Sequence, residues 1–502
     1  MMLSRASTSR LAGRGLHQCH PLGTSPLLCR VARQQQQQRR TTGLVARASE
    51  QPPQGGPPEE PQPSSSEGSS PQEAGAPPPS TSGQPQQPRT TSNESQLLSG
   101  VPELDLSTVA NLQISKEVIE ELKFKVFSFD TFWVTSVDNY EADGVVFKGN
   151  MRGKDSQAAY NKIQERMVAL PAIGDAYQLF LLEDMEGKPT AVILPKARAS
   201  EGGISRVTEI WLAVLFAILT AVTTANANGV PLLQFLIDPF RTPISNDEVT
   251  GAIVPALAFF FILGSHEWGH WWAAKKRGVE LYLPLIVPAG FGFLGSFGGI
   301  TRFKGFCPSR SALLEISATG PLVGAATSGA LVFIGFVLTA LGATDVTIDS
   351  PSFADSFLMA VAAQAFLGDA LLQPEVQVNS LMVAGWAGLI VNSLNCIPAG
   401  ELDGGRIALA IWGRKNYNLL SIASTGVLAV TALASSLSFY WIAVVLFLQR
   451  GPLLPCAEEL GEPTDETSVT TGLAMLFLPL LVLAPYPIEL FLAMEEVGSA
   501  TF

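Results

Sequence analysis

Two histidines four residues apart, with a glutamate beside the first, are the residues of this chain best suited to chemistry. The sequence His266-Glu267-Trp268-Gly269-His270 puts both imidazoles on one face of a helix, about one turn apart. That spacing suits two ligands of one zinc ion, and Glu267 is placed to take a proton from a water that the metal activates. So short a pattern also arises by chance, so the rest of the chain must decide its meaning.

The distribution of histidine supports the metal interpretation. The chain has four histidines, and the other two, His17 and His20, lie in an N-terminal segment that resembles a targeting sequence. The pair His266 and His270 also lies at the end of an apolar run, where ionisable residues are costly in a membrane and usually functional. The alternative is a buried histidine pair bonded only to its neighbours.

A catalytic zinc needs a third protein ligand, and Asp403 is the candidate. It follows a later apolar run, in Asn395-Cys396-Ile397-Pro398-Ala399-Gly400-Glu401-Leu402-Asp403-Gly404, and is expected on the same membrane side as the loop after His270. The alternative is that Asp403 only caps the next helix. Asn395 is a candidate donor to the substrate backbone or the oxyanion, or else a hydrogen-bond partner of a neighbouring helix.

Membrane helices are the elements that must position these residues. Of 502 residues, 47% are hydrophobic and only 15% are charged, and the apolar residues are concentrated after about residue 205. We predict about seven crossings, at 210–224, 253–274, 313–341, 378–397, 419–434, 437–448 and 469–490. The apolar segment Leu281–Ile300 contains Pro284, Pro288 and several glycines, which predicts a re-entrant hairpin that lines a cavity in the protein.

The loops between the predicted spans differ in charge. Lys275, Lys276 and Arg277 follow the second span, and basic residues also precede the third and follow the fourth. All these loops fall on one side of the membrane, and the rule that basic loops stay on the inner side predicts which side this is. In a chloroplast, that side faces the stroma. The formal net charge of −12 argues against nucleic-acid binding, which needs a basic surface.

The N-terminal part of the chain divides by composition. Residues 1–48 contain eight arginines and no acid, which is typical of an organelle transit peptide, here for the chloroplast. Residues 49–110 are rich in Pro, Gln and Ser and predict a disordered linker. Residues 111–204 predict a small soluble α+β domain with two helices and a β-hairpin at 177–194. Residues 205–495 predict a transmembrane domain, and the histidine motif that it carries is typical of a metalloprotease.

The motifs together resemble a known family. The His266–His270 sequence and the Asn395–Gly404 sequence resemble the paired signature of the site-2 protease family of intramembrane zinc metalloproteases. Gly320-Pro321-Leu322-Val323-Gly324 is similar to that family's glycine motif, and Gly149-Asn150-Met151-Arg152 is similar to the G-N-L-R sequence of the plant EGY subfamily. The resemblance implies a polytopic α-helical membrane protein with a site-2 protease core and a soluble N-terminal domain.

The resemblance also implies an activity. Zinc held by His266, His270 and Asp403, with Glu267 as general base and Asn395 as a further catalytic residue, would hydrolyse peptide bonds of membrane-anchored proteins within the lipid bilayer. The expected location is a chloroplast membrane, thylakoid or inner envelope, with the soluble domain in the stroma. An inactive chaperone or scaffold of the same fold is the main alternative, and a transporter that uses polar span residues is the other.

Overall fold

The computed structural model describes residues 114–140, 144–184, 186–196, 205–291, 293–448 and 453–487. The predicted transit peptide (1–48) and the predicted linker (49–110) lie outside these residues. A region built on a β-sheet comes first in the described chain, and a helical region follows it.

A four-stranded antiparallel sheet with the order β1-β2-β4-β3 organises the N-terminal region. Its strands are Phe132–Tyr140 (β1), Gly144–Met151 (β2), Tyr177–Glu183 (β3) and Pro189–Pro195 (β4). Its helices are Lys116–Glu121 (α1), which continues as a π-helical turn over Leu122–Val126, Ser156–Val168 (α2) and Pro171–Gly174 (α3). This arrangement agrees with the predicted α+β class, and the hairpin predicted at 177–194 is β3–β4.

The two faces of this sheet pack against different parts of the chain. Residues of α1 and α2, among them Ile163, cover one face and bury Phe147 and Leu181. The other face carries Phe180, against which Phe306 of the helical region packs edge-on, with 4.7 Å between ring centroids. One face of the sheet therefore contributes to the contact between the sheet and the helical region.

An ion pair holds the loop before β1 against α2. Arg166 donates from two guanidinium nitrogens to the two carboxylate oxygens of Asp130, at 3.1 and 2.8 Å, and it also donates to Ser128 Oγ at 2.6 Å. The Arg166 guanidinium, with help from the Ser128 hydroxyl, holds the pKa of the Asp130 carboxyl well below its usual range.

Replacing Asp130 with asparagine should lower the temperature at which the N-terminal region unfolds at pH 7. Because the pKa of Asp130 is depressed by folding, its contribution is complete above the unfolded pKa of about 3.9 and is lost as the pH falls through the lower folded value. The difference between D130N and wild type should therefore shrink towards pH 3. Thermal unfolding followed by circular dichroism measures it, with the exposed Asp175→Asn as control. An equal difference at both pH values would contradict the assignment.

Three helices of the described chain are long and apolar enough to cross a membrane: Arg206–Ala227 (α4), Asn246–Lys276 (α6) and Arg310–Ala340 (α7). Each begins after a serine whose side chain accepts a hydrogen bond from the first turn, which satisfies an amide that the helix leaves free. The described part of the helical region has six further helices. They are Leu232–Ile237 (α5), Phe357–Leu367 (α8), Ser380–Asn395 (α9), Asp403–Thr431 (α10), Ser436–Leu448 (α11) and Glu466–Val482 (α12).

The helix α9 is the centre of the helical region. The sequence predicted it as a membrane span, and 14 of its 16 residues are buried inside the protein. Gly385 and Gly388 let α9 approach α7 closely, because a Cβ at either position would overlap atoms of α7 such as those of Ser328. Nearly every side chain of α9 is thus surrounded by protein.

The segment predicted as a re-entrant hairpin forms two antiparallel strands, Leu285–Phe291 (β5) and Leu294–Ile300 (β6). Thr220 and Thr223 of α4 donate to the carbonyl oxygens of Ile286 and Gly295, at 2.8 and 2.6 Å. These hydroxyls give two carbonyl oxygens of the hairpin a hydrogen-bond partner on α4. A second pair of short antiparallel strands, Val346–Asp349 (β7) and Glu375–Val378 (β8), encloses α8 and the 3₁₀ turns Ser350–Asp355 and Gly368–Leu372.

The helix α10 has a kink at Gly413, whose φ of 76° lies in the left-handed region. The buried Arg310 compensates for the break, since it donates to the carbonyl oxygens of Ala410 and Ile411, both at 2.9 Å. The first half of α10 is buried, and the crossing predicted at 419–434 corresponds to the half after Gly413, which ends at Thr431.

A segment near the C-terminus joins the two regions. Leu181 of β3 donates to the carbonyl oxygen of Ala457 at 2.8 Å, and Glu459 donates back to Leu181 at 2.9 Å, so the segment extends the sheet at β3. Ala457 also donates to Cys307 of the helical region at 2.8 Å. The Glu459 carboxylate binds Arg414 of α10 at 2.7 and 3.1 Å. The sheet is therefore attached to the helices that carry the predicted site.

Candidate metal centre

Three side chains that are far apart in sequence meet between α6 and the start of α10. His266 and His270 lie on one face of α6, and Asp403 is the first residue of α10; all three are buried. The two Nε2 atoms are 3.0 Å apart, and Asp403 Oδ2 lies 3.4 Å from His266 Nε2 and 3.3 Å from His270 Nε2. The structure thus brings the three predicted metal ligands together, with one donor atom of each within 4.8 Å of the others.

Hydrogen bonds at the far side of each ring decide which nitrogen carries the proton. Asn392 Nδ2 donates to Gly388 O at 2.8 Å, which turns Asn392 Oδ1 towards His266 Nδ1, also at 2.8 Å. His270 Nδ1 lies 2.9 Å from the carbonyl oxygen of Ile316. Both partners are acceptors, so in each neutral ring Nδ1 carries the proton and Nε2 presents a bare lone pair.

Two lone pairs and a carboxylate oxygen that converge in a buried space need a cation between them. A nitrogen–nitrogen distance of 3.0 Å without a proton to share is repulsive, and the Asp403 carboxylate adds negative charge. Two imidazole nitrogens and one carboxylate oxygen form a donor set that zinc accepts in catalytic sites, with the remaining position open. The residues present therefore fit a zinc ion.

Glycines allow the helices to approach closely enough to form this centre. A Cβ at Gly269 would overlap the backbone of Thr319 and Gly320, so α6 and α7 are in near backbone contact there. A Cβ at Gly320 would enter the His270 ring, and one at Gly324 would overlap the Asn392 amide. The glycine motif of α7 and the glycine inside the histidine motif are thus required for the same reason, which is that no side chain fits where these helices meet.

The turn before α10 fixes the direction of Asp403. A Cβ at Gly404 would overlap the carbonyl of Cys396, so the turn folds back on the end of α9. Gly400 accepts from Tyr417 Oη at 3.0 Å and donates to Ser421 Oγ at 3.1 Å, which ties the turn to α10. The N-cap position of α10 is Leu402 and not Asp403. The carboxylate of Asp403 is directed to the histidines.

Glu267 lies on α6 beside the metal ligands and contacts the β5–β6 hairpin. Its Oε2 accepts from Thr301 Oγ1 at 3.0 Å. Its Oε1 is buried and has no hydrogen-bond partner among the described residues. A buried carboxylate oxygen with a free lone pair is suited to accept a proton, and the role of Glu267 as general base stays a prediction.

The amide of Asn395 is bound to protein atoms. Its Nδ2 donates to Val391 O at 3.0 Å and to Phe297 O of the hairpin at 3.3 Å. Gly298, with φ at 98°, leaves room for this amide. The predicted role of Asn395 as a donor to the substrate stays a prediction; in this structure one hydrogen bond of its amide stays within α9 and the other joins α9 to the hairpin.

Sequence reasoning missed two residues of the site, Asn392 and Thr301. Asn392 precedes Asn395 by three residues, so the two share a face of α9, and a second amide in so apolar a helix was a detectable signal. Thr301 gave no such signal, because threonine is common at the end of a strand. The motif Gly149-Asn150-Met151-Arg152 ends β2 and lies in the N-terminal sheet.

Sequence models of two families match the chain. The model of Peptidase family M50 matches residues 254–439, and the EGY3 middle domain matches residues 120–202. "Probable zinc metalloprotease EGY2, chloroplastic" of Arabidopsis thaliana is 43% identical over 75% of this chain and 66% of its own length. The protein with the same description from Oryza sativa subsp. indica is 40% identical over 78% of this chain and 70% of its own. "Probable zinc metalloprotease EGY1, chloroplastic" of Arabidopsis thaliana is 31% identical over 76% of this chain and 73% of its own length.

The chain belongs to the EGY zinc metalloproteases of peptidase family M50. This confirms the resemblance inferred from the motifs, and the M50 match spans the residues from α6 to α11. The EGY assignment also covers the N-terminal sheet, which the EGY3 middle domain matches. No solved structure matches the chain.

In this EGY metalloprotease, replacing Gly320 with alanine should displace the His270 ring, since the added methyl has no free space. Overpacking of this kind costs about 1–3 kcal/mol, so zinc affinity should fall about 5- to 150-fold. Zinc content of the purified full chain after dialysis against a chelator measures the effect. Gly329→Ala on the same helix is the matched control, because a Cβ there meets nothing within 4 Å. Equal zinc loss in both variants would refute the steric explanation.

Asn392→Leu should weaken zinc binding because His266 Nδ1–H loses its acceptor and the ring is free to change tautomer. Removing such a partner lowers metal affinity about 10- to 100-fold. Competition with a zinc chelator measures the affinity. Ser393→Ala is the control, because the buried Ser393 hydroxyl has no partner among the described residues. Unchanged affinity in N392L would show that Ile316 and Asp403 suffice to orient the site.

Proposed function

We propose that this chain is an intramembrane endopeptidase that binds zinc through His266, His270 and Asp403 and hydrolyses peptide bonds of membrane-anchored chloroplast proteins. The observation that carries the proposal is the convergence of two bare imidazole nitrogens and one carboxylate between helices of the membrane-embedded family M50. The names of the EGY relatives, which state a zinc metalloprotease, support zinc as the metal.

Zinc bound at these three residues would act as a Lewis acid towards water and the substrate carbonyl. Glu267 takes a proton from the attacking water at Oε1, the carboxylate oxygen that has no partner among the described residues. The same oxygen then delivers the proton to the nitrogen of the leaving amine, so that the carboxylate is restored. Asn395 is our candidate for a donor to the substrate carbonyl, which requires its bond to Phe297 to open.

A substrate helix must unwind before its peptide bond can reach this site, because the helix hides its amides in internal hydrogen bonds. We infer that preferred substrates have Pro or Gly near the cleaved bond, since these residues weaken a helix locally. Membrane-anchored regulators and photosynthetic membrane proteins are the two candidate classes of substrate.

We further propose that the shorter apolar helices α9, α11 and α12 and the second half of α10 join α4, α6 and α7, for about seven crossings in all. Three basic residues support a stromal position for this side: Lys275 and Lys276 in the last turn of α6, and Arg414 of α10. The segment that attaches the sheet to Arg414 supports a position of the N-terminal region on the same side of the membrane. The chloroplastic names of the relatives support a thylakoid or inner-envelope location.

Glu267→Gln and His266→Ala separate a protease from a scaffold or a transporter. The full chain in proteoliposomes is assayed with a quenched fluorogenic peptide that carries one apolar span with a Gly-Pro pair. E267Q should keep zinc and lower turnover about 100- to 10,000-fold, since it removes the general base, and H266A should lose both zinc and turnover. Lys162→Gln, at an exposed position of α2 outside the site, is the control. Turnover by E267Q equal to wild type would disprove the mechanism.

A further inference from the structure

The end of the β5–β6 hairpin contacts the predicted general base directly. Thr301 follows β6, and its side-chain oxygen lies 3.0 Å from Glu267 Oε2. Thr301 is only 5% exposed, so water does not compete freely for this bond. A hydroxyl can donate one proton here, and a hydrogen bond to a carboxylate is stronger than one between neutral groups.

The two oxygens of Glu267 therefore differ. Oε2 accepts from Thr301, whereas Oε1 is buried with no partner in the described part of the chain. An isolated buried carboxylate oxygen is costly unless another molecule uses it. Oε2 is therefore occupied by the hydrogen bond with Thr301, and Oε1 is the oxygen that is left for proton transfer.

The hairpin backbone is shaped to let Glu267 reach this position. A Cβ at Gly299 would overlap Glu267 Oε1, so the backbone of β6 approaches the carboxylate more closely than any other residue would permit. The hairpin is held at its other side by Thr220 and Thr223 of α4. It is also held by aromatic contacts, among them Phe297 with Trp441, with 5.7 Å between ring centroids. Thr301 thus directly follows a strand of a hairpin that is packed on both sides.

We propose that Thr301 is a positioning residue, which holds Glu267 Oε2 so that Oε1 is kept in place to accept the proton of the attacking water. The inference rests on the proposed function, since it assumes that Glu267 is the general base. It gives the hairpin a role in the reaction that is separate from any contact with substrate. Without the hydroxyl, the carboxylate can rotate about its last bond, and either oxygen can face residue 301.

The test compares Thr301→Val, which keeps the shape and loses the hydroxyl, with Thr301→Ser, which keeps the hydroxyl. T301V should lower kcat about tenfold or more, while KM changes less than about twofold, because a charged hydrogen bond that orients the base is lost. T301S should keep kcat within about threefold of wild type. Zinc content, and the affinity of the zinc-depleted protein for the fluorogenic peptide, should equal those of wild type in both variants.

Thr220→Val is the matched control. It removes the same group from a residue that bonds the same hairpin but, through its hydroxyl, contacts Ile286 and not Glu267. T220V should keep kcat within about threefold of wild type. A fall in kcat in T220V as large as in T301V would assign the effect to the stability of the hairpin and overturn the proposal.

Two further results would also overturn it: kcat of T301V equal to wild type, or kcat of T301S as low as that of T301V. If T301V does not fold, Thr301→Ala is compared with T301S in the same way. The Glu267→Gln variant is measured in the same preparation. If E267Q is active, the proposed function itself fails; if E267Q is inactive and T301V is fully active, only the role of Thr301 fails.

Discussion

Two imidazole nitrogens that face each other across 3.0 Å impose the main constraint on this structure. Their lone pairs repel each other, so the arrangement persists only if the protein fixes both rings and a cation joins them. Asn392 and the Ile316 carbonyl fix the rings by holding the two Nδ1 protons. The near backbone contact of α6 with α7 at Gly269 brings that carbonyl within reach of His270.

Irregular backbone beside this centre creates a second constraint, because polar backbone groups inside an apolar region need partners. Threonine hydroxyls of α4 bind carbonyl oxygens of the β5–β6 hairpin, and Arg310 binds the carbonyl oxygens exposed by the kink at Gly413. Arg310 lies on α7, which packs against α6, α9 and α10, whereas α4 packs along both strands of the hairpin. The irregular backbone beside the site is therefore bound by side chains from helices that pack against the hairpin or against the rest of the bundle.

The sequence predicted the parts of this protein that depend on local patterns. The histidine spacing, the apolar run before Asp403 and the proline and glycine breakers of Leu281–Ile300 each gave a correct account of local structure. It did not predict that α9 is enclosed by protein, because a lipid-facing and a buried apolar helix have the same composition. It also missed β1 and the contact of Thr301 with Glu267, since strand edges and contacts between distant segments leave no periodic signal.

The strand pairing between Leu181 and the segment around Ala457 has a consequence for biogenesis. The first partner is made early in synthesis, and the second follows almost all of the membrane helices. The edge of the N-terminal sheet at β3 can therefore close only after the segment around Ala457 has been synthesised, behind most of the helices described above. An unpaired edge readily pairs with other strands, so the Ala457 segment, once in place, also shields β3 from pairing with the wrong partner.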